Sequence, residues 1–393
     1  MITKICVFTS TRADYGILSS LIRLLSHDSH FETRIFVTGT HLSKDHGFTL
    51  NEIERDGFKA FYHVPLILQD DALISHLGIM GNATVEFSKA LAGNKPDAAV
   101  VLGDRFEALS FALAANGLGI PLIHLHGGEV TQGALDEAYR HCISKLSHLH
   151  FVSNEKYRNR VIRMGEAPER VFNVGALGID NIKKIPLLSK EELATNLGVS
   201  FKNEILAVTY HPETSSPEKD AGQVQALFNA LELRLQRGQT TLVLTGTNVD
   251  HGNERIQTAM KAFIAKHSSD CIFVPSLGMR RYLSLLNCAD VVVGNSSSGI
   301  IEAPALGTPT INIGDRQKGR EMASSIFNVK GDGGEIAAAI EKGVEYKKVH
   351  KNLKLSVYGN GDAGPQILSI LKNIVFTPYP QKEFFDGMEK NNS

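Results

Sequence analysis

Short apolar runs alternate along the chain with amphipathic stretches of helical length. In the first half, the apolar runs lie in the segments KICVFTS, TRIFVTG, FKAFYHV, DAAVVLGD, IPLIHLH and LHFVSN. Between the first two runs, helical spacing relates five apolar residues, Ile17, Leu18, Leu21, Leu24 and Leu25. Because strands joined by crossover helices run parallel, this half predicts a doubly wound α/β lobe.

The same rhythm restarts after a polar, Lys-rich stretch, IKKIPLLSKEELATNLGVS. The later apolar runs lie in NEILAVTYH, TTLVLTG, CIFVPS, ADVVVGNSSSG and TPTINIG, and they do not match the first set as repeats would. A chain of 393 residues is also too long for one ordinary core. The pattern predicts two unequal Rossmann-like lobes, over 1–180 and 181–364, with the boundary near Asp180.

Composition and charge exclude several classes of protein. Hydrophobic residues make up 42% and charged residues 21%, which is typical of a soluble globular protein. With 41 Lys and Arg against 42 Asp and Glu, no bulk field favours nucleic acid or an anionic membrane. The N-terminus lacks the apolar core of a signal peptide, and no later run could span a bilayer. The four cysteines lack zinc-ligand spacing, so we expect reduced packing residues in a cytoplasmic protein.

In open parallel sheets, ligands bind outside the carboxyl ends of the strands. Residues directly after the apolar runs are therefore the first candidates for a site. They are Arg12, Asp14, Asp104, Arg105, His124, His126, Glu129, His211 and the serines of the NSSSG segment. The sequence has neither a GxGxxG after the first strand nor a P-loop, so no motif supports binding of a nicotinamide or ATP.

The NSSSG segment separates a predicted strand from IIEAPALG, which predicts the start of a helix. Serine side chains suit the helix cap, and free amides with the helix dipole would bind phosphate, although an ordinary capped helix is an equal alternative. Glu302, one turn later, could accept hydrogen bonds from a ribose diol. Arg12, His211 and Arg316 supply cations for a diphosphate, while a surface role is the alternative for any single Arg.

The segment HLHGGEVTQGALDEAYRH is the densest polar cluster. Strand alternation predicts His124 and His126 on the same side. A zinc site would lack a third and fourth ligand, which favours proton transfer or hydrogen bonding. Asp136 and Arg140 are spaced as an i, i+4 pair if a helix begins near Leu135, and a solvated ion pair is the alternative.

Asp104 follows an apolar run and Gly103, so we expect it at a strand end beside this cluster. Carboxylates that converge raise one another's pKa, so that one can act as base and another as acid near neutral pH. The combination favours acid–base chemistry at carbon over simple binding.

The motifs TSTRADYG, VLGDRFE, HLHGGEVTQGALDEAYRH, TYHPET, GNSSSGIIEAPALGTPTINIGDRQKGRE and YGNGDAG together resemble one family in order and spacing. The chain is similar, from about Ile5 to Gly364, to the hydrolysing UDP-N-acetylglucosamine 2-epimerases of bacterial sialic acid biosynthesis and to the epimerase lobe of the bifunctional animal enzyme. The resemblance implies the GT-B arrangement, in which two Rossmann-like lobes face each other across a cleft. It also implies a C-terminal helix that crosses back, for which 365–380 is the candidate, followed by a tail over 381–393.

The resemblance also implies roles for individual residues. It makes the UDP-sugar contacts Arg12, Arg105, His211, Asn248, Ser296, Ser297, Glu302 and Arg316, and we add Asp14 from the first strand end. It makes the catalytic group Asp104, Glu129 and Asp136, with His124, His126 and Arg140 nearby. Some relatives have Glu where this chain has His126, which leaves the acid–base assignment open among the three carboxylates.

The implied reaction is elimination of UDP to a 2-acetamidoglucal followed by hydration to N-acetylmannosamine, with no cofactor and no metal. The implied assembly is a homodimer or homotetramer. Three alternatives stay open: the same reaction on a UDP-2,4-diacetamido-trideoxy-hexose, as in legionaminic acid pathways, a GT-B glycosyltransferase, and a non-catalytic UDP-sugar sensor.

Overall fold

The chain forms two compact units in a computed structural model that describes residues 2–44, 48–66, 73–132, 134–213, 217–246, 253–351, 353–376 and 381–387. The first unit takes the described residues within Met1–Glu129, Asp136–Asn181 and Tyr358–Ser393. The second unit takes those within Val130–Leu135 and Ile182–Val357. Each unit has its own sheet, and each is described separately below.

The first unit is built on a parallel sheet with the strand order β3-β2-β1-β4-β5-β6-β7. Its strands are β1 (Thr3–Thr9), β2 (Phe31–Thr38), β3 (Ala60–Val64), β4 (Ala98–Leu102), β5 (Leu122–Leu125), β6 (Leu149–Val152) and β7 (Val171–Asn173). Its helices are α1 (Arg12–His27), α2 (Leu50–Arg55), α3 (Leu73–Gly93), α4 (Phe106–Gly117), α5 (Asp136–Leu146), α6 (Glu155–Arg163) and α7 (Leu177–Lys184), whose last turn lies in the second unit. Single 3-10 turns occupy Gly39–Leu42 and Pro168–Arg170.

Both faces of this sheet are covered, because successive strand side chains point to opposite faces. In β1, Ile5 and Val7 belong to the core beneath α1, whereas Cys6 and Phe8 belong to the core beneath α3 and α4. The second of these cores is rich in aromatic rings; the Phe8 and Phe111 ring centroids lie 4.5 Å apart. The near-continuous apolar runs in the sequence follow from this two-sided burial.

The second unit has a parallel sheet with the order β10-β9-β8-β11-β12-β13. Its strands are β8 (Glu204–Thr209), β9 (Thr240–Thr245), β10 (Cys271–Val274), β11 (Val291–Gly294), β12 (Thr310–Ile313) and β13 (Ile326–Val329). Its helices are α8 (Lys190–Leu197), α9 (Pro217–Leu235), α10 (Asn253–Lys266), α11 (Gly278–Cys288), α12 (Ser298–Ala305) and α13 (Gly333–Val349). A last helix, α14 (Ala363–Leu371), belongs to the first unit.

The two sheets confirm the predicted fold class of two Rossmann-like parallel lobes. In each sheet the strand order reverses once, between β1 and β4 and between β8 and β11, which is where doubly wound folds bind ligands. The sequence patterns missed the edge strands β7 and β13, which have three and four residues and are only partly buried. In each an asparagine, Asn173 or Asn328, breaks the apolar run, whereas the equally short edge strand β10 is apolar throughout and is predicted.

Two smaller expectations, on the cysteines and on the last helix, differ from the structure. Cys142 is exposed and therefore is not the packing residue that we expected, whereas Cys6 and Cys271 are buried. The last helix spans nine residues from Ala363, where the sequence predicted a helix over 365–380. Among the described helices, none is long and apolar enough to cross a membrane.

Asp180 fixes the start of α14. Its side chain is fully buried, and its two carboxylate oxygens accept the backbone N–H groups of Ala363 at 2.9 Å and Gly364 at 2.7 Å. These are first-turn amides that no carbonyl within the helix can satisfy, and the negative charge also suits the positive end of the helix dipole. A residue 183 positions earlier in the chain therefore holds the C-terminal segment on the first unit.

We expect Asp180→Ala to destabilise the first unit and to release the segment after Tyr358. Two buried amides lose a charged acceptor, which should cost about 3 kcal/mol in the free energy of unfolding. Calorimetry measures the loss, and limited proteolysis should cut after Tyr358. The matched control is Asp332→Ala, which removes the exposed cap of α13 and should cost only about 1 kcal/mol. Equal losses for both variants would contradict the larger contribution to stability that we assign to the buried Asp180 carboxylate.

Candidate active site

A buried guanidinium lies at the carboxyl end of β4 in the first unit. Arg140, on α5, is 1% exposed, and its Nη2 donates to Oδ2 of Asp104. Its Nη1 donates to Oε2 of Glu137 at 2.8 Å and to the main-chain oxygen of Glu129 at 3.1 Å. One side chain therefore joins the loop after β4, the loop after β5 and the first turn of α5.

His124 is the last-but-one residue of β5 and is fully buried. Its Nε2 lies 2.8 Å from the main-chain oxygen of Gly103, and its Nδ1 lies 3.0 Å from Oγ of Ser144. Burial, with smaller effects from the nearby His150 and His126, lowers the pKa of His124 to about 3. Its imidazole therefore stays neutral at physiological pH, and both ring nitrogens are engaged within the first unit.

His126 lies just beyond the end of β5. The predicted alternation with His124 does not extend to it, because the strand ends at Leu125 and His126 adopts a left-handed backbone with φ of 64°. Its Nδ1 lies 2.8 Å from Oε1 of Glu129. The same oxygen accepts a hydrogen bond from Oγ of Ser153 at 2.7 Å, and Glu129 is only 2% exposed.

Asp136 is the first residue of α5 and is half-buried. The helix begins there, one residue after the predicted start near Leu135. Because Arg140 is buried and pairs with Asp104 and Glu137, the alternative of a solvated ion pair on this helix does not hold. The structure thus brings Asp104, Glu129 and Arg140 into one hydrogen-bonded group, with Asp136 one helical turn from Arg140.

The carboxyl end of β1 supplies a second polar group in the same unit. Asp14, in the first turn of α1, accepts the backbone N–H of Ser10 at 2.7 Å. Burial raises the pKa of Asp14, against the lowering effects of the Ser10 amide and of the Arg105 charge. Arg105 is held by a two-point contact with the buried Glu107, with Nε and Nη2 each 3.1 Å from a carboxylate oxygen. Arg12 is the first residue of α1.

In the second unit, Asn295 fixes His211, the second residue after β8. It is fully buried; its Oδ1 accepts the N–H of His211 at 2.7 Å, and its Nδ2 donates to the His211 carbonyl at 2.8 Å. Gly294 has φ of 139°, and a Cβ there would lie 1.9 Å from the Thr209 carbonyl oxygen. Only glycine therefore allows the two strand ends to approach this closely.

Glu213 positions the loop that carries Arg316. It is 2% exposed, and its Oε1 accepts the N–H groups of Asp315 at 2.8 Å and Arg316 at 3.3 Å. A Cβ at Gly314, where φ is 76°, would lie 2.0 Å from this oxygen. Nη1 of Arg316 donates to the Asn295 carbonyl at 3.2 Å, so both predicted cations of this unit are anchored on the residue after β11.

The serine segment differs from its predicted cap geometry. Helix α12 begins at Ser298, and the preceding Ser297 makes no side-chain capping bond. Oγ of Ser298 instead bonds the hydroxyl of Tyr282 and lies 3.1 Å from Oγ of Ser296. Glu302 is 9% exposed, one turn into the helix. Burial raises the pKa of Tyr282, so its hydroxyl stays protonated.

One predicted site residue, Asn248, lies outside the described residues. The sequence patterns did not identify the residues that hold the other predicted groups in place. The missed residues are Glu107, Ser144, Ser153, Glu213, Tyr282 and Gln317; each follows no strand end or acts on a residue distant in sequence. Glu213 had a usable signal, since it lies two residues after His211 in TYHPET. Within the described residues, no group of three His, Cys, Asp or Glu side chains is arranged to hold a metal ion.

The sequence matches the UDP-N-acetylglucosamine 2-epimerase family over residues 23–372. This chain belongs to that family. A GDP/UDP-N,N'-diacetylbacillosamine 2-epimerase (hydrolyzing) of Campylobacter jejuni is 38% identical over 385 residues, which cover 98% of this chain and 99% of that protein. Polysialic acid biosynthesis protein P7 of Escherichia coli is 37% identical over 326 residues, which cover 83% of this chain and 82% of that protein.

A solved structure of the same family has the same fold. The UDP-GlcNAc 2-epimerase of Neisseria meningitidis, bound to UDP-GlcNAc, superposes with a TM-score of 0.76 over 94% of this chain and 100% of that chain, at 18% identity. This superposition confirms the two-sheet fold that the motifs indicated, and the sequence match over residues 23–372 confirms the epimerase family.

Acid should destabilise this family member through His124. Between about pH 6.5 and pH 3 the unfolded state binds a proton at this residue and the folded state does not, so stability falls as pH falls. We expect the His124→Gln variant to lose about 1.4 kcal/mol per pH unit less than the parent chain between pH 6 and pH 4. Urea unfolding followed by circular dichroism at several pH values measures the two slopes.

The His63→Gln variant, which changes an exposed histidine of β3, is the control and should keep the slope of the parent chain. Parallel curves for His124→Gln and the parent would show that His124 takes up its proton in the folded state.

Proposed function

We propose that this chain is a hydrolysing 2-epimerase of a UDP-linked 2-acetamido sugar, which releases UDP and the free sugar inverted at C2. The observation that carries the proposal is the pair of Asp104 with the buried Arg140 beside the Glu129 loop, at the ligand-binding edge of a doubly wound sheet. A pure binder of an anionic ligand gains nothing from carboxylates at this edge, so the group favours acid–base chemistry.

The first unit supplies the proton-transfer chemistry in this proposal. Asp104 is held in place by Arg140, and Asp136 and Glu129 lie on the neighbouring helix start and loop. His124, neutral and bonded at both nitrogens, serves to fix Gly103 and α5 rather than to move a proton.

The remaining predicted site residues are proposed to contact the UDP-sugar. These residues are Arg12, Asp14, Arg105, His211, Asn248, Ser296, Ser297, Glu302 and Arg316. The C2 proton of the sugar is a very weak acid, so its removal requires that the leaving diphosphate be stabilised at the same time. Arginines suit this role because the guanidinium pairs with phosphate oxygens at two points.

The reaction has two steps. In the first, the C2 proton is removed, the C1–C2 double bond forms and UDP departs with the electrons of the C1–O bond. In the second, water adds its oxygen to C1 and a proton arrives at C2 from the opposite face. The products are UDP, the C2-inverted sugar and one proton released to solvent.

Two sugars are candidates for the substrate. The motifs in the sequence favour UDP-GlcNAc, and the polysialic acid relative supports a sialic acid pathway, with N-acetylmannosamine as product. The Campylobacter relative, which covers nearly the whole chain, supports UDP-N,N'-diacetylbacillosamine, a 2,4-diacetamido sugar. The two share the UDP and the C2 acetamido group that the assigned residues would contact.

A cytoplasmic location and a homodimeric or homotetrameric state stay predictions from the sequence.

The test is to incubate the purified protein in deuterated water with each UDP-sugar, without any acceptor, and to follow the products by proton NMR. We expect release of UDP together with the free C2 epimer carrying deuterium at C2, from one of the two sugars. Deuterium enters because the proton that C2 receives in the hydration step comes from solvent.

Other products would contradict the proposal in distinguishable ways. UDP retained on the epimer would indicate a non-hydrolysing epimerase. Release of UDP without deuterium at C2 would indicate hydrolysis alone. If both sugars stayed intact, the transferase and sensor alternatives would be favoured, and addition of candidate acceptors would separate those two.

A further inference from the structure

Three features distinguish His126 from the other residues of the candidate site. First, it is one of two described non-glycine residues with a positive φ, the other being Phe48. Residues other than glycine seldom adopt this conformation. It persists where surrounding contacts impose it, often at functional sites. Here the backbone N–H of His126 donates to the Phe151 carbonyl at 3.0 Å, which holds the turn against β6.

The residues that follow leave this turn no freedom. A Cβ at Gly127 would lie 2.9 Å from both Nδ1 of His124 and Oγ of Ser144. Gly128 has φ of 74°, and a Cβ there would lie 2.6 Å from the Tyr157 carbonyl oxygen. The strained backbone of His126 is therefore set by close packing on both sides of the loop.

Second, the buried carboxylate of Glu129 selects the tautomer of His126. A carboxylate accepts hydrogen bonds, so the ring nitrogen 2.8 Å away, Nδ1, carries the proton. Ser153 donates to the same oxygen and keeps it in place. Glu129, which is 2% exposed, thus contacts both His126 and Ser153 through its Oε1.

Third, Nε2 of His126 is buried without a hydrogen-bond partner among the described residues. In the neutral ring with the proton on Nδ1, this nitrogen bears a lone pair. A buried acceptor left unmatched is costly unless water or a ligand group reaches it, and this one lies at the ligand-binding edge of the sheet. The loop is also tied to the Asp104 pair, because Arg140 donates to the Glu129 carbonyl.

We propose that His126 Nε2 is the base that takes the C2 proton, and that Glu129 is a positioning residue that acts through His126. This inference rests on the proposed function. The Nε2 lone pair binds the proton, the C2–H electrons form the C1–C2 double bond, and the C1–O electrons leave with UDP. The imidazolium then returns its proton to solvent, which is the proton that the overall reaction releases.

The first variant is His126→Gly, which removes the imidazole at a backbone position that glycine adopts without strain. Its unfolding temperature should therefore not fall below that of the parent chain. We expect kcat to fall by about 10²–10⁴-fold with KM changed little, and added imidazole to restore turnover at least tenfold. The matched control is His30→Asn, which removes an exposed histidine paired with Asp28 at 2.7 Å and should leave kcat unchanged.

The second measurement is a double-mutant cycle with Glu129→Gln. If Glu129 acts only through His126, the double variant His126→Gly/Glu129→Gln should be no slower than His126→Gly alone, because the energies of residues that act as a unit do not add. A Glu129 that transfers a proton itself would make the double variant slower by a further factor close to that of Glu129→Gln.

The outcomes separate cleanly. Nearly normal turnover by His126→Gly, or an additive cycle without imidazole rescue, would overturn the inference while leaving the proposed function intact. A parent chain that turns over neither UDP-sugar would remove the proposed function, and the inference with it. Rescue by imidazole and a non-additive cycle, with an active parent chain, would establish both roles.

Discussion

The candidate site of the first unit depends on one buried positive charge. Arg140 is almost fully removed from water, and an unpaired charge in that position would cost several kcal/mol. Asp104 and Glu137 supply its negative partners, and the Glu129 carbonyl supplies a third acceptor. Because these partners come from three different elements, the need to satisfy one guanidinium fixes the end of β4, the loop after β5 and the start of α5 together.

The second unit fixes its polar residues in a different way, through buried side chains that bond backbone N–H and carbonyl groups. Asn295 bonds both the N–H and the carbonyl of His211, and Glu213 accepts the N–H groups of Asp315 and Arg316. Two close approaches, at Gly294 and Gly314, leave no room for a side chain. The basic side chains of His211 and Arg316 thus lie outside these two close approaches, and buried polar residues orient the backbone that carries them. This arrangement suits an anion that is held by several weak contacts rather than by one strong charge.

The fold and the candidate site were predictable from the sequence to different depths. Strands buried on both faces produce long apolar runs, so the parallel sheets and the strand-end candidates were accessible, whereas the short edge strands β7 and β13 were not. Backbone conformation at single residues was also hidden: alternation placed His126 beside His124, but its left-handed φ turns it out of the strand pattern. Supporting residues such as Ser153 and Tyr282 act across large sequence separations, which no local pattern reveals.

The Asp104→Asn variant tests the central role of the Asp104–Arg140 pair most directly. Asparagine keeps the size of the side chain and an oxygen that can accept from Arg140, but it cannot transfer a proton. We predict that steady-state turnover of the UDP-sugar slows by about 10²–10⁴-fold, while the Kd for UDP, measured by calorimetry, stays within a few-fold of the parent value. Unchanged turnover with unchanged UDP affinity would contradict a catalytic role for Asp104 and would reduce its pair with the buried Arg140 to a purely structural contact.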